Sequence, residues 1–390
     1  MIVLDIVLIV VLLIALLVGA QRGLVASGGT LVGLVAGGIA AYWLAPIVND
    51  AWPWQQWRPL VVVALVLLLL GLGGAVGGAI GAAVRRGVDR TPLRAFDRVL
   101  GAVASVVVAA LAISVVGSAV SATGAPILAP AIASSQVLRT IDRLTPPPVA
   151  EALAQLRSVV LDDALPTFGD LLVGVTPPTE PPVDLADPEL ALAAASVVRV
   201  SGTAYACGTS STGTGFVVAP DRVVTNAHVV AGVDTPVVEI PGRSAREGRI
   251  VAFDAAKDLA VVAVDDLGVA PLPLGPTLAP GAAAVVQGYP YGGPFTQVNA
   301  DVLSVGTVDI PDIYSRGGAP REIYALEAAV RPGNSGGPLL TADGVVAGVV
   351  FARGEGDDRR GYAMTMAELQ PVAAAAPTLA DRVSSGSCTS

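Results

Sequence analysis

Histidine is nearly absent from this chain, whose 390 residues include only one, His228. Lysine is equally rare, since Lys257 is the only lysine among 23 basic residues. A serine hydroxyl needs a neighbouring base to take its proton at neutral pH. The single lysine leaves little room for a serine–lysine pair, so chemistry that needs a side-chain base would depend on His228.

Charged residues are also scarce. They make up 14% of the chain against 53% hydrophobic residues, a balance too apolar for an ordinary soluble protein. Charges are sparsest before about residue 120. The formal net charge is −9 and the second half has no basic run, so the sequence gives no reason to expect nucleic-acid binding. The length leaves room for two or three domains.

Four apolar stretches are each long enough to cross a lipid bilayer, which takes about 20 residues. They cover residues 2–20, 24–47, 60–84 and 99–121. The first stretch lacks a basic start and a small-residue cleavage site, so we interpret it as a retained helix rather than a signal peptide. The sequence therefore predicts a four-helix transmembrane domain over residues 1–121.

Arginines indicate the orientation of these predicted spans. The connection between the third and fourth spans holds five arginines, and Arg22 lies in the first connection. Positively charged connections stay in the cytoplasm. The fourth span then leads outward, so the sequence after residue 121 is predicted to lie outside the cytoplasm.

Glycines recur every four residues within the second and third spans. Gly29 and Gly33 belong to one row, and Gly73 and Gly77 belong to the other. Small residues at this spacing let helix backbones approach closely. A transport pathway would want paired charges within the membrane, and only Asp5 is a candidate. We therefore interpret the spans as a compact membrane anchor.

Residues 122–190 are predicted to form a connector. Apolar positions at helical spacing over residues 132–144 and 149–161 indicate two amphipathic helices. Proline pairs at 177–178 and 181–182 then predict a stiff, extended spacer.

Residues 191–390 show short β-rich runs separated by Gly, Pro and Asp turns. The predicted strands are 196–201, 214–218, 222–225, 259–264, 283–288, 301–308 and 345–351. Many short strands at regular spacing indicate an antiparallel barrel or sandwich.

Three short segments of this half carry side chains suited to catalysis. A Thr-Asn-Ala-His run ends at His228, Asp258 directly precedes a predicted strand, and Ser335 stands in a Gly-Asn-Ser-Gly-Gly-Pro turn. This ordered trio resembles the trypsin-like serine peptidases, and in style the bacterial HtrA-type enzymes. The resemblance covers roughly residues 195–385 and implies an all-β fold of two barrels.

The resemblance also implies a role for each residue. Ser335 would attack a peptide carbonyl, His228 would take and return its proton, and Asp258 would orient the imidazole. The N–H groups of Gly333 and Ser335 would form an oxyanion hole, each donor lowering the barrier by about 3 kcal/mol. Asp254 remains an alternative third member. No lysine follows the glycines around Ser335, so a phosphate-binding P-loop does not fit. We predict neither a metal nor a cofactor for this site.

In this family the residues that form the primary substrate pocket lie just before the nucleophile in sequence and on the strand that follows it. Its wall and floor would come from Ala329 and Val330 before Ser335, and from Val350, Phe351 and Ala352 on the strand after it. None of the five is acidic, so a basic substrate side chain would be buried without a partner. Small or medium apolar residues before the cleaved bond are therefore predicted.

Cys207 and Cys388 are the two cysteines. Outside the cytoplasm two lone cysteines most often pair. A bridge between them would enclose about 180 residues, including all three catalytic groups, and would stabilise the fold by at most about 5 kcal/mol. The alternative is two unpaired buried thiols. If the bridge forms, reduction would loosen the active site, which makes redox control a hypothesis.

The first half carries a second resemblance. Asp5 and the Arg22-Gly23 pair resemble the colicin V production family of membrane proteins. Four spans joined to a trypsin-like domain resemble the actinobacterial membrane-anchored serine proteases associated with acid resistance. That resemblance implies a periplasmic enzyme, in contact with membrane lipid, that acts on cell-envelope proteins such as peptidoglycan hydrolases under acid or oxidative stress.

Two alternatives stay open. One is a membrane transport or scaffold protein whose outer domain only binds partners. The other keeps the peptidase fold but makes it latent until acid or a partner orders it.

Overall fold

The computed structural model describes residues 2–51, 58–88, 94–122, 132, 135–146, 148–149, 165–169, 171, 175–204 and 209–389. The chain divides into two compact units, Ile2–Ile113 and Ser114–Ser390. The first unit is helical and the second is mainly β-sheet.

The described helices of the first unit are α1 (Ile2–Ala51), α2 (Arg58–Val88) and α3 (Arg94–Ala122), of which α3 continues past Ile113. Helix α1 contains both of the first two predicted spans and breaks at Gly23, whose φ of 75° and ψ of 167° are not helical. Among the described residues, Leu4–Ala40 and Arg94–Ser114 are the two helical stretches long and apolar enough to cross a membrane. The four separate spans therefore stay a prediction.

The break in α1 is stabilised by a buried carboxylate. A helix that restarts leaves its first N–H groups without intrahelical acceptors. Asp97, which is 6% exposed, accepts a hydrogen bond of 3.0 Å from the N–H of Val25. The guanidinium of Arg85 lies 3.4 Å from the other carboxylate oxygen of Asp97. Asp97 thus caps the second half of α1.

The glycine rows bring α1 and α2 into backbone contact. A Cβ added at Gly33 would overlap the carbonyl oxygen of Gly73, and one added at Gly77 would overlap the carbonyl oxygen of Gly29. A Cβ at Gly71, on the same helix as Gly77, would meet no atom within 4 Å. The predicted close packing of the two glycine rows is confirmed.

In the part of the chain that the structure describes, the second unit holds all of the strands together with further helices. The helices are α4 (Gln136–Leu144), α5 (Pro188–Ala194), α6 (Ala227–Val230) and α7 (Met366–Ala375). Two 3₁₀ turns cover Pro290–Gly292 and Ala376–Thr378. The first seven strands are β1 (Thr167–Phe168), β2 (Val197–Ala204), β3 (Thr209–Ala219), β4 (Arg222–Thr225), β5 (Val237–Glu239), β6 (Arg246–Glu247) and β7 (Arg249–Asp254). The other seven are β8 (Leu259–Ala263), β9 (Ala283–Gly288), β10 (Thr296–Ile310), β11 (Ala319–Glu327), β12 (Pro338–Leu340), β13 (Val346–Gly354) and β14 (Arg360–Thr365).

The strands form two seven-stranded sheets. One sheet consists of strands β2 to β8, the first half of the β-rich unit, and is called the first-half sheet. Its order is β6-β5-β2-β3-β4-β8-β7. The second-half sheet has the order β1-β13-β12-β9-β10-β11-β14, and an additional pairing of β13 with β14 closes six of its strands into a ring. Apart from β1, every strand pairs antiparallel with its neighbours. Each sheet encloses its own apolar cluster, and a third cluster contains residues of both sheets.

All seven predicted strands are confirmed, although several are longer than the pattern indicated. Strand β10 begins at Thr296 rather than 301, and β3 begins at Thr209 rather than 214. The pattern did not indicate β11, β14 or the short strands β1, β5, β6, β7 and β12. Strand β11 was missed because Arg321 and Glu322 interrupt its apolar run.

Only part of the predicted connector behaves as expected. Helix α4 lies within the predicted helix 132–144 and is capped by Ser135, whose hydroxyl accepts from the N–H of Leu138. The predicted helix 149–161 lies outside the described residues, apart from Val149. The proline-rich stretch is extended, but it is no free spacer, because it is hydrogen-bonded to the second-half sheet.

We call this extended stretch the strap; it is described at residues 165–169, 171 and 175–185. Its strand β1 runs parallel to β13, where the N–H of Arg353 donates to the carbonyl of Pro166 at 3.0 Å and the N–H of Glu355 donates to Phe168 at 2.7 Å. Further along, the N–H of Thr176 donates to Leu303 at 2.9 Å. The strap is therefore part of the β-rich unit.

Candidate active site

The histidine sits on a single helical turn that follows β4. Helix α6 spans Ala227–Val230, and its Val229 and Val230 side chains are buried in the cluster enclosed by the first-half sheet. These anchors fix the turn, while the imidazole of His228 keeps 11% of its surface exposed. The packing of Val229 and Val230 thus fixes the backbone of His228, while part of its imidazole stays exposed.

Asp258 lies directly behind that imidazole. Its carboxylate accepts from the backbone N–H of His228 at 2.9 Å and lies 2.8 Å and 3.0 Å from Nδ1 of the same residue. Asp258 is 2% exposed and has a φ of 54°, a left-handed conformation that Asp tolerates better than most residues. The amide of Asn226 donates to the carbonyl of Asp258 at 2.8 Å, which holds this backbone in place.

Asp254, the alternative third member, has a different environment. Its carboxylate accepts the N–H groups of Ala256 at 3.0 Å and Lys257 at 2.9 Å. These are hydrogen bonds within its own turn, typical of Asp in tight loops. The structure brings Asp258, and not Asp254, to His228.

Ser335 stands in a turn framed by glycines with positive φ. Gly333 has a φ of 91° and Gly336 a φ of 81°. A Cβ at Gly333 would overlap the carbonyl oxygen of Tyr289, and one at Gly336 would overlap the carbonyl oxygen of Thr214. Both the conformation and the close approach therefore require glycine.

The serine turn lies against the segment that carries the histidine. The N–H of Thr214 donates to the carbonyl of Ser335 at 2.8 Å, and the hydroxyl of Thr225 donates to the carbonyl of Thr214 at 2.7 Å. A Cβ at Gly336 would also lie 2.9 Å from the backbone nitrogen of Asn226. No hydrogen bond joins the Ser335 hydroxyl to His228 in the described structure, and this contact often tightens only when substrate binds.

Two N–H groups of the turn remain available for a ligand. The carbonyl of Pro332 accepts from the N–H of Tyr291, and the carbonyl of Gly333 accepts from the hydroxyl of Thr214 at 2.6 Å. Within the described part of the chain, the N–H groups of Gly333 and Ser335 donate to no acceptor. Buried N–H groups are nearly always paired, so this unpaired set is suited to an incoming oxygen.

The five predicted pocket residues fall into different environments. Val330 and Val350 belong to the cluster enclosed by the second-half sheet, and Ala329 is partly exposed. Phe351 and Ala352 belong to the cluster shared by both sheets. Phe351 is 1% exposed and its ring centroid lies 6.2 Å from that of Phe168, so its ring packs in the core.

The sequence motifs did not indicate several residues that support the site. Thr214 holds the serine turn, Asn226 holds the backbone of Asp258, and Lys257 binds Glu368 at 2.8 Å. The only local signal for the role of Thr214 was its position between two glycines. The Lys257 side chain is 41% exposed, and its ammonium group pairs with the buried carboxylate of Glu368.

Neither a metal site nor the predicted disulfide can be placed from these contacts. No group of three or more His, Cys, Asp or Glu side chains in the described ranges could hold a metal ion. Cys388 is described, but Cys207 lies outside the described residues. The pairing of the two cysteines stays a prediction.

Two family models match the chain. The model of the trypsin-like peptidase domain matches residues 213–349, which include the histidine, the aspartate and the serine. The model of the colicin V production protein matches residues 4–146. The β-rich unit thus has the fold of a trypsin-like, HtrA-type protease.

Relatives of known sequence and structure agree with this class. Serine protease Rv3671c of Mycobacterium tuberculosis (strain ATCC 25618 / H37Rv) is 32% identical over 360 residues, which are 90% of this chain and 89% of that protein. The putative serine protease HhoB of Synechocystis sp. is 36% identical over 169 residues, 42% of this chain and 39% of that one. The crystal structure of the active form of the Rv3671c protease is 35% identical, with a TM-score of 0.53, and covers 58% of this chain and 100% of its own.

The chain belongs to the family of HtrA-like serine proteases in which a colicin V production domain precedes a trypsin-like peptidase domain. It is a serine-type endopeptidase.

Proposed function

We propose that this endopeptidase is anchored in the cell membrane and cleaves proteins of the cell envelope through a triad of His228, Asp258 and Ser335. The anchor is residues 1–121, and the peptidase is residues 191–390 together with the strap. No cofactor takes part.

In the first step the hydroxyl oxygen of Ser335 attacks the carbonyl carbon of the substrate, and Nε2 of His228 takes the hydroxyl proton. The resulting oxyanion accepts hydrogen bonds from the N–H groups of Gly333 and Ser335. The C–N bond then breaks as His228 returns the proton to the leaving amine. Water, activated by the same imidazole, hydrolyses the acyl-enzyme and releases a carboxylic acid.

One observation carries this proposal: the double contact between Asp258 and His228. The carboxylate receives both the backbone N–H and the Nδ1 side of the ring. A hydrogen bond at Nδ1 assigns the ring proton to that nitrogen and leaves Nε2 as the acceptor. The imidazole is thereby held in the tautomer that can accept a proton at Nε2.

The oxyanion hole is supported by the direction of two carbonyl groups. The carbonyl of Pro332 accepts from the N–H of Tyr291, and the carbonyl of Asn334 accepts from the N–H of Gly337 at 2.9 Å, so the peptide units that carry the Gly333 and Ser335 N–H groups are both fixed. Because the peptide unit is planar and trans, an engaged Pro332 carbonyl turns the N–H of Gly333 to the opposite side. That N–H and the N–H of Ser335 would bind the developing negative charge.

We further propose that the enzyme prefers small or medium apolar residues before the cleaved bond. Val330 and Val350 are buried apolar residues close to the serine turn, and the N–H of Gly336 donates to the carbonyl of Val350 at 2.8 Å. Ala329 keeps part of its surface exposed, whereas Ala352 is buried. Phe351 contributes through the core, since its ring is already packed against Phe168.

The proposal places the peptidase outside the cytoplasm. Its support is the four apolar segments and the arginine-rich connection before the fourth, which favours the cytoplasm. The resemblance to acid-resistance proteases supports a role during acid or oxidative stress, with peptidoglycan hydrolases among the substrates. A transport or scaffold role predicts instead that Ser335→Ala leaves the cellular phenotype unchanged.

The test is active-site labelling of the full chain in detergent micelles. A fluorophosphonate probe is expected to modify Ser335, and mass spectrometry of the digested protein locates the label. Ser335→Ala and His228→Ala should abolish labelling, whereas Ser387→Ala, a change at an exposed serine, should not. Labelling elsewhere, or none in the parent chain, would contradict the proposed triad.

A further inference from the structure

The only lysine of the chain stands immediately before Asp258 and forms an ion pair with a distant part of the fold. The ammonium group of Lys257 lies 2.8 Å from Oε2 of Glu368. Lys257 belongs to the turn between β7 and β8 of the first-half sheet. Glu368 lies on α7, which directly follows β14 of the second-half sheet. The pair therefore joins the two halves that meet at the active site.

Glu368 is held firmly on its own side of this contact. The residue is 7% exposed. Its Oε1 accepts from the N–H of Glu322 on β11 at 3.1 Å. The carboxylate of Glu322 in turn accepts from the hydroxyl of Thr365 at 2.6 Å, and Thr365 caps α7. Lys257 thus binds a carboxylate that the second-half sheet has already positioned.

The turn that Lys257 belongs to needs such support. Asp258 at its end has a φ of 54°, a conformation that costs energy for a non-glycine residue and persists only where its surroundings enforce it. One other tether crosses from the second half of the fold, the N–H of Ile313 donating to the carbonyl of Ala255 at 3.1 Å. Lys257 provides the charged tether, one residue from the strained position.

A second cation lies in the same region. Arg321 on β11 is 2% exposed, and its guanidinium lies 5.8 Å from the ring centroid of Phe351. Burial lowers the pKa of Arg321, and the carboxylates of Asp258, Glu368, Asp254 and Asp312 counteract that shift, Asp258 most strongly. Lys257 pairs with Glu368 directly, whereas the Arg321 guanidinium donates to the carbonyl of Pro311.

We infer that Lys257 is a positioning residue for catalysis: its ion pair with Glu368 fixes the Asp254–Asp258 turn and so holds the Asp258 carboxylate against His228. The inference rests on the proposed triad, because it explains how one member of that triad is kept in place. Without the ammonium group, Glu368 would be a buried carboxylate lacking its cation, and the turn would lose its charged tether.

The kinetic test compares Lys257→Met, Lys257→Arg, Glu368→Gln and the Lys257→Met/Glu368→Gln double variant in the full chain. Lys257→Met is expected to lower kcat by about tenfold to a hundredfold, with KM changed by less than about twofold, because substrate contacts are intact. Lys257→Arg should restore most of the loss. The double variant should be no worse than the single ones, as expected for two residues that act through one contact.

A spectroscopic readout separates this inference from the proposed reaction. Because His228 is the only histidine, ¹⁵N-histidine labelling of the full chain gives the imidazole signals of one residue. The parent and Lys257→Arg should show a protected Nδ1–H signal, and Lys257→Met should lose or broaden it. Arg359→Gln, which removes an exposed ion pair with Glu327, is the matched control and should change nothing.

Two results would overturn the inference. One is an unchanged Nδ1–H signal and kcat in Lys257→Met. The other is a purely additive double variant, which would mean that Lys257 and Glu368 act separately. Failure of the proposed reaction would give a different result, because the parent chain would then lack fluorophosphonate labelling. The imidazole signal would still report whether Lys257 supports the Asp258–His228 contact.

Discussion

The hydroxyl of Thr214 donates a hydrogen bond of 2.6 Å to the carbonyl of Gly333. Thr214 lies on β3 of the first-half sheet, and Gly333 opens the serine turn of the second half. The same hydroxyl accepts from the N–H of Tyr289 at 3.0 Å. One side chain therefore links the turn that carries Ser335 to the sheet that precedes His228.

Replacing Thr214 by Val keeps the side-chain shape and removes these hydrogen bonds. The Gly333 carbonyl would then be buried without a donor, so the free energy of unfolding should fall by about 1–3 kcal/mol. The oxyanion donors should also lose their alignment, and kcat should fall by about tenfold. Urea unfolding and peptide hydrolysis measure the two effects. Thr214→Ser, which keeps the hydroxyl, is the control, and equal behaviour of the two variants would contradict the role of the hydrogen bond.

The two candidate aspartates make opposite predictions. Asp258→Asn should lower kcat by about 10³- to 10⁴-fold, because an amide at this position favours the wrong imidazole tautomer. Asp254→Asn should leave kcat within about threefold, since its oxygen can still accept the N–H groups of its own turn. Steady-state hydrolysis of one apolar peptide suffices for both. A larger loss in Asp254→Asn than in Asp258→Asn would reverse the assignment.

A methyl group at Gly333 tests the backbone of the serine turn. Gly333→Ala should lower kcat/KM by about a hundredfold or more, because the Cβ meets the Tyr289 carbonyl and displaces one oxyanion donor. Gly317 is the matched control: it also has positive φ, at 58°, but a Cβ there meets nothing within 4 Å. Gly317→Ala should cost about 1 kcal/mol of stability from backbone strain alone and leave kcat/KM unchanged.

The helical unit can be tested with a pair of glycines on α2. Gly77→Ala should destabilise that unit by about 1–3 kcal/mol, because the added methyl overlaps the Gly29 carbonyl on α1. Gly71→Ala, where a Cβ has open space, should not. Thermal unfolding of the full chain in detergent micelles compares the two. Equal melting temperatures would show that the helices do not depend on this contact.

The three side chains of the proposed triad are marked in the sequence, whereas the contacts that surround them are not. His228, Asp258 and Ser335 are each marked by their immediate neighbours, which carry a family pattern. Thr214 and Glu368 act over separations of 119 and 111 residues. Such contacts are set by how the two sheets meet, and no local pattern encodes them.

The strands also differ in whether the local sequence pattern indicated them. Strands with apolar runs, such as Leu259–Ala263, were found because both of their faces are buried. Strand β11 was missed because charged Arg321 and Glu322 interrupt its apolar run, although Arg321 is 2% exposed. The first two predicted spans lie in α1 on either side of the non-helical Gly23, and the sequence could not show that Asp97 caps the restart.

The strap determines where the protease can be separated from its anchor. Leu165 is 8% exposed and belongs to the same apolar cluster as Val330, and the hydroxyl of Tyr362 donates to the carbonyl of Gly169 at 2.8 Å. A cut after residue 185 would strip a strand from the sheet and leave Phe351 without its aromatic neighbour. A soluble enzyme with an intact sheet must be severed upstream of Leu165.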